Sequence, residues 1–216
     1  MKVKIAAAQI AITPFDLSAN LEKIKAAFMH ASKKRCNFLC LPEECWAGVE
    51  YQEKRTNEVA DFMKNHTARL TKQYGIYCIA GTVIEEIKER DTKHLHNVSY
   101  IFNPTGTIIG RYAKRHLVPS TEKERIPGES HQIIDTEFGR IGVQICRDIL
   151  YPEATQITAN LGAKIIFSPA FWGKFSTTYP TSLSFHHIDE LQMIKYLVPA
   201  RALENEVFFV FCNAAE

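Results

Sequence analysis

The chain has 216 residues, enough for one domain with a sizeable buried core. Its 46% apolar and 23% charged residues exclude a disordered polymer, and a formal net charge of +2 excludes recruitment to nucleic acid or an anionic membrane by bulk charge. No stretch approaches the ~18 to 20 apolar residues of a bilayer-spanning helix.

In chain order, strands and helices alternate. Residues 3–10 read as a first strand, because their lysines are interleaved with apolar residues instead of preceding them as in a secretory signal. A helix is expected over about 18–34, with Leu21, Ile24, Phe28 and Ala31 at helical spacing. The basic run Lys33-Lys34-Arg35 falls at its end, where cations favour the helix dipole, and reads as a solvated helix end. The nearly all-apolar stretch 37–42 is a strand of the kind buried on both faces. A second helix follows over 53–73, then a strand over 76–84. Residues 98–102 and 107–112 flank the turn sequence Asn103-Pro-Thr-Gly106 and form a hairpin. No element is convincing between 115 and 137, and irregular segments of that length in compact domains are often functional. The glycine-broken apolar run 140–146 is a strand ending at Cys146, and Pro152 opens a short helix to 161. A strand over 164–168, an aromatic loop, a helix over 186–205 and a strand over 207–212 complete the pattern, which is that of a single α/β domain over residues 1–216.

The six cysteines contain no C-x-x-C pair and read as reduced thiols, with the cytoplasm as the expected location. The eight histidines form no H-x-x-x-H or mixed Cys/His cluster, and no metal is expected. Cys146 stands apart by its place on a strand-to-helix turn, where backbone N–H groups stabilise both a thiolate and a developing oxyanion. A free thiol with a pKa of about 8.5 is mostly protonated at neutral pH and needs a base or a cation beside it. Glu43, Lys114 and Glu122 also sit at or just beyond strand ends, the side of an open α/β sheet where sites collect. Glu44 is the rival to Glu43 as the acid, and Glu124 the rival to Glu122.

Ala8-Gln9, Leu41-Pro42-Glu43, Gly110-Arg-Tyr-Ala-Lys114-Arg-His-Leu, Glu122 ahead of Pro127-Gly128, Cys146-Arg-Asp148 with Pro152-Glu153, and Arg201-Ala-Leu-Glu204-Asn205 follow one another in the order of the nitrilase superfamily of carbon–nitrogen hydrolases. The chain resembles that family from about residue 3 to its end. The resemblance implies a four-layer α-β-β-α sandwich with no organic cofactor or metal, often paired into homodimers or higher homo-oligomers. It implies a catalytic triad of Glu43, Lys114 and Cys146 with Glu122 as a fourth member, and favours Glu43 over Glu44. The segment Lys114 to Glu122 also looks like the N-acyltransferase branch, which favours Glu122 over Glu124; the lack of a membrane-spanning segment disfavours that branch as the function. Cys-Arg-Asp resembles the amidase-type branches more than the true nitrile hydrolysers.

The expected reaction is therefore hydrolysis of a small linear amide or N-carbamoyl compound through a thioester on Cys146. The backbone N–H of Arg147 is a candidate oxyanion donor, and its side chain a candidate for recognising an anionic substrate group. Phe171 and Trp172, in the loop after the 164–168 strand, either wall the substrate pocket or pack between layers; Trp46 and Tyr51, after Glu43, stand in the same position. Arg201, Glu204 and Asn205 are expected to tie the last helix into the fold. Family domains usually continue beyond the equivalent of Asn213, so the domain is expected to be short at its C-terminal end, and a non-catalytic metabolite-binding or assembly subunit is the second hypothesis. A peptidase using His116 or His187 is the third, with no local signature to support it.

Overall fold

The computed structural model describes residues 2–48, 55–89, 92–173 and 190–215. After strand β1 (Ile5–Ala7), the Asp16 carboxylate accepts from the Ala19 N–H at 2.8 Å and caps helix α1 (Leu17–Lys33). Leu21, Ile24, Phe28 and Ala31 form its buried stripe, as their spacing predicts. Strand β2 (Phe38–Cys40) is buried throughout, helix α2 (Thr56–Tyr74) ends on Gly75 in the left-handed conformation, and β3 (Tyr77–Ile79) follows.

The single strand expected over 76–84 is two. Strand β3 stops, residues 80–82 leave the ladder with Gly81 at φ +68, and β4 (Val83–Glu89) resumes. Both pieces run along the same edge of β5 (Thr92–Phe102), since Ile79 pairs with Ile101 and Val83 with Val98, while β6 (Ile108–Ala113) takes the opposite edge. Strands β1, β2 and β3 are parallel, and β4 and β6 are antiparallel to β5, which makes a six-stranded sheet.

A second correction concerns 115–137, read as irregular. Gln132–Thr136 is a strand, β7, in a tight hairpin with β8 (Gly139–Val143). It is only five residues long and Ile134 is its one buried residue, too little to stand out from the polar sequence before it. The strand expected to end at Cys146 ends at Val143; Cys146 opens a short 3₁₀ helix (Cys146–Leu150), and Pro152 begins helix α3 (Pro152–Asn160), as expected. Strand β9 (Ile165–Ala170) runs two residues further than predicted, and helix α4 (Glu190–Glu204) and strand β10 (Phe208–Asn213) close the described chain. The second sheet has the order β10-β9-β8-β7, with β10, β9 and β8 parallel.

Alternation along the strands sorts the core into layers. Leu39, Cys78, Val83, Val98 and Phe102 meet α1 and α2 on one face of the larger sheet. Phe38, Cys40, Ile79, Ile101 and Tyr112 on its other face share a cluster with Ile141, Val143, Phe167 and Cys212 of the smaller sheet. Ile166 and Val207, on the outer side of the smaller sheet, pack with Ala159 of α3. Of the group expected to tie α4 to the fold, Arg201 does so by donating to the Ile149 carbonyl at 3.0 Å, while Asn205 donates back to the Arg201 carbonyl at 2.9 Å and Glu204 accepts from the Arg201 guanidinium at 3.1 Å. Among the described residues no helix is long and apolar enough to cross a membrane.

Candidate active site

Four chain segments meet at the carboxyl ends of their strands. Glu43 lies three residues past β2, Lys114 directly after β6, Cys146 three residues past β8 and Phe171 directly after β9. The turn carrying Glu43 is held from two sides. The Glu43 N–H donates to the Ala170 carbonyl of the other sheet at 3.3 Å, and the Glu44 N–H to the Thr82 hydroxyl at 3.0 Å. Glu44 itself is left-handed (φ 55). At Gly81 a Cβ would stand 2.3 Å from the Pro42 carbonyl oxygen, so no side chain fits behind this turn.

Cys146 is held in an unusual backbone conformation, φ 48, of the kind found at sites where the surroundings over-determine the geometry. Asp148, fully buried, fixes it. One carboxylate oxygen accepts from the Ile145 N–H at 2.8 Å and the Tyr112 hydroxyl at 2.7 Å. The other lies 2.7 Å from His116 Nδ1 and accepts the His116 N–H at 3.0 Å. Tyr112 and His116 stand two residues on either side of Lys114, so one carboxylate registers the cysteine turn of one sheet against the lysine strand of the other. Gly128 closes the back of that strand: its N–H donates to the Lys114 carbonyl at 2.8 Å, and a Cβ there would meet the Ala113 carbonyl oxygen at 2.3 Å.

The charged groups are all buried and mutually paired. Lys114 Nζ is 2.9 Å from Glu43 Oε1 and 3.0 Å from Glu122 Oε2, with side-chain exposures of 2%, 5% and 4%. Asn97 Nδ2 donates to Glu43 Oε1 at 2.9 Å and to Glu122 Oε1 at 3.1 Å. Arg125 Nη1 donates to Glu122 Oε1 at 2.6 Å and to Glu44 Oε1 at 3.1 Å. Burial alone would lower the Lys114 pKa, but Glu43, a Cys146 thiolate and Glu122 outweigh it and raise it, so the ammonium persists. For Glu122 burial works upward, and Lys114 and Arg125 hold the carboxyl below its usual range. Burial, the repulsion of Glu43 and the hydrogen bond to the Glu43 carboxylate push the Cys146 thiol well up, against the pull of Lys114 and of the Phe171 backbone N–H. The resting sulfur is therefore a thiol that shares its cavity with a carboxylate and an ammonium. Glu44 is raised to about 7, chiefly by burial and also by Glu43 and Glu122, against Arg125 and Lys114.

A small cavity of about 80 Å³ opens onto these groups, lined by Glu43, Glu44, Lys114, Glu122, Arg125 and Cys146 with Val118, Thr121 and Phe171 at its rim. Of the expected site residues, Glu43, Lys114, Glu122, Cys146 and Phe171 converge here. Glu124 does not line the cavity, and Glu44 joins it through Arg125. Trp172 packs in the core between the sheets, edge-on to Phe211, with its backbone N–H on Asn213 Oδ1 at 2.8 Å, so the two readings of the aromatic loop divide between its two residues. Trp46 is a core residue and not a pocket wall: its ring meets Phe62 of α2 edge-on, and its indole N–H donates to the Ala80 carbonyl at 2.8 Å. Arg147 is half-buried beside Cys146, outside the cavity lining. Tyr51 and His187 lie outside the described residues. Sequence reasoning missed Asn97, Arg125, the Phe171 N–H and the clamping role of Asp148; only the last had a signal, its place two residues after the cysteine. Among the described residues no group of three or more His, Cys, Asp or Glu side chains is placed to hold a metal ion.

Comparison with known proteins places this geometry in context. Residues 4–216 match the sequence model of the carbon-nitrogen hydrolase family. Omega-amidase NIT2-A of Xenopus laevis is 32% identical over 231 residues, covering 99% of this chain and 75% of that protein. Omega-amidase NIT3 of Saccharomyces cerevisiae is 28% identical, covering 99% and 74%. Among solved structures, a mutant of the amidase from Nesterenkonia sp. AN1 in complex with butyramide superposes with a TM-score of 0.83 at 20% identity, covering 99% of this chain and 77% of that one. A second mutant of the same amidase, which carries acrylamide at its active site cysteine, superposes at 0.81. At that identity these structures speak for the fold.

Proposed function

The chain belongs to the carbon–nitrogen hydrolase family, and from that premise we propose that it hydrolyses a small linear amide or N-carbamoyl compound through a thioester on Cys146. The observation that carries the reading is convergence on one small cavity: Glu43 Oε1 accepts from Lys114 Nζ at 2.9 Å and Cys146 lines the same cavity as both, so base, cation and nucleophile stand together. The amidase names of the relatives support an amide over a nitrile, and the small size of the cavity supports a small ligand over a large one.

In this reading the thiol proton passes to Glu43 as Sγ attacks the carbonyl carbon. Charge develops on the carbonyl oxygen, where Lys114 Nζ and the Arg147 backbone N–H stabilise it. Glu43 then gives its proton to the departing nitrogen, the C–N bond breaks, and ammonia or an amine leaves a thioester on sulfur. Water follows: Glu43 removes its proton, the resulting oxygen attacks the thioester, and collapse releases the acid and returns the proton to sulfur. Glu122 keeps Lys114 aimed and accepts from the substrate amide. Substrate leaves no net charge behind at either step, which suits a site whose charges are already paired. One domain over residues 1–216 working as a homo-oligomer completes the proposal; Tyr196 and Leu203 of α4 and Phe208 of β10 are strongly exposed and support association.

The test is ammonia release from a panel of small amides, carbamoyl amines, carbamoyl amino acids and nitriles, with mass spectrometry of the intact protein during turnover. An acyl adduct located on Cys146 is expected. Turnover without any adduct on that residue, or adducts that persist in Cys146→Ser, would overturn the mechanism.

A further inference from the structure

Glu44 has no part in the reaction just described, yet it is one of the most elaborately held residues in the molecule. It lies beside Glu43 in the same turn, in a left-handed conformation, with its N–H on Thr82 and its carboxylate 3.1 Å from Arg125 Nη1 in the wall of the cavity. Both partners of this ion pair are buried, with side-chain exposures of 2% and 5%. The same guanidinium nitrogen donates to Glu122 Oε1 at 2.6 Å, and the other oxygen of Glu122 holds Lys114 at 3.0 Å. Charges of alternating sign therefore run without a break from Glu44 through Arg125, Glu122 and Lys114 to Glu43.

We infer that Glu44 is a positioning residue for the hydrolysis: it draws on Arg125, and so sets how firmly Glu122 can hold Lys114 against the Glu43 carboxylate and the sulfur. Electrostatics gives the direction of the effect. While Glu44 is ionised, Arg125 is shared between two carboxylates and Glu122 keeps charge for Lys114. Once Glu44 is neutral, Arg125 acts on Glu122 with one competitor fewer, and Lys114 loses part of its counter-charge. The groups that face Glu44 are Glu43 on its own turn, Lys114 after β6, and Glu122 and Arg125 on the 122–125 segment. With Glu44 raised to about 7, this exchange falls near neutral pH. A residue placed only for stability would behave differently. An unfolded glutamate ionises in the ordinary carboxylate range, so the raised folded value means that the ionised form opposes folding above that range, increasingly as the pH climbs towards about 7. Glutamine, which stays neutral, removes this opposition.

The inference rests on the assignment of Glu43, Lys114 and Cys146 above, and one experiment separates the two. Steady-state kinetics of the wild type, Glu44→Gln and Glu44→Asp are measured from pH 6 to 9 on an amide from the panel, together with melting temperatures at pH 8. Glu44→Gln should lower kcat about tenfold at pH 8 with KM changed less than twofold, a size in keeping with a slightly misplaced catalytic group. The wild type should lose activity through a step near pH 7 as the pH falls and converge on Glu44→Gln at pH 6, and that step should be absent from the variant. Glu44→Asp should recover part of kcat, and Glu44→Gln should melt no lower than the wild type at pH 8. A wild-type profile without a step near pH 7, a Glu44→Gln kcat within twofold of the wild type, or a loss carried by KM would each overturn the inference while leaving the triad standing. A wild type that is folded but turns over no member of the panel would bring down the triad and the inference together.

Discussion

Two sets of thiols lie inside this molecule, and burial treats them alike. Cys40, Cys45 and Cys78, in and beside the larger sheet, are pushed well above the usual thiol range, first by burial, and Cys146 at the strand ends is pushed the same way for the same leading reason. What separates them is company. Around Cys40 the other sulfurs are the main polar neighbours, and the Cys212 thiol donates to the Cys40 carbonyl at 3.1 Å. Around Cys146 stand the Glu43 carboxylate and the Lys114 ammonium. A buried cysteine is inert by default; in the function proposed above, reactivity comes from the groups gathered around one of several similar sulfurs.

The sharpest break of that comparison exchanges the sulfurs. Cys146→Ala should reduce ammonia release by more than about 10⁴-fold, whereas Cys78→Ala should leave kcat within a few-fold and lower stability by about 1 kcal/mol; comparable losses of activity in the two would dissolve the distinction. Removing the cation comes next. Lys114→Ala leaves Glu43 and Glu122 as buried carboxylates without their ammonium, and should lower kcat about 10³-fold and unfolding free energy by about 3–5 kcal/mol, read from turnover and urea titration. Removing the base should divide acidity from activity. Glu43→Gln takes away the negative charge that helps to keep the Cys146 thiol protonated, so the pH profile of its alkylation by iodoacetamide should move down. Turnover should nonetheless fall about 10²- to 10⁴-fold for want of a proton carrier. An alkylation profile that moved up would mean that the carboxylate is not what holds the proton on sulfur. The smallest effect is expected beyond the cavity lining: Arg147→Gln should leave kcat on a neutral amide within twofold, and raise KM only for substrates that carry a carboxylate.

The parts of the site that the sequence showed are those whose chemistry is carried by a residue type in a marked local setting: an acid after Leu41-Pro42, a lysine after a strand, a cysteine before a helix-opening proline. Asn97 and Arg125 were hidden for a different reason. Asn97 sits mid-strand in β5 and reaches both carboxylates only because β5 is paired on one edge by β4 and on the other by β6, a register that local pattern does not express. Trp46 was placed in the pocket by its nearness to Glu43 along the chain, but the turn points it back at α2, where its large apolar ring is worth more. In the fold, the α/β class followed from alternation, while β7 was lost to its shortness and the break at Gly81 to its apolar surroundings. Backbone donors such as the Phe171 N–H have no sequence signature at all.

Asp148 has a consequence for how such a protein can change over evolutionary time. By accepting from the cysteine turn on one side and from Tyr112 and His116 on the other, it makes the two walls of the reaction chamber a single piece. Neither wall can be reshaped alone without pulling Cys146 out of line with Lys114. Innovation is channelled outward, to Phe171, Val118 and Thr121 at the mouth, where one side chain can be traded for another while the inner machinery stays where it was.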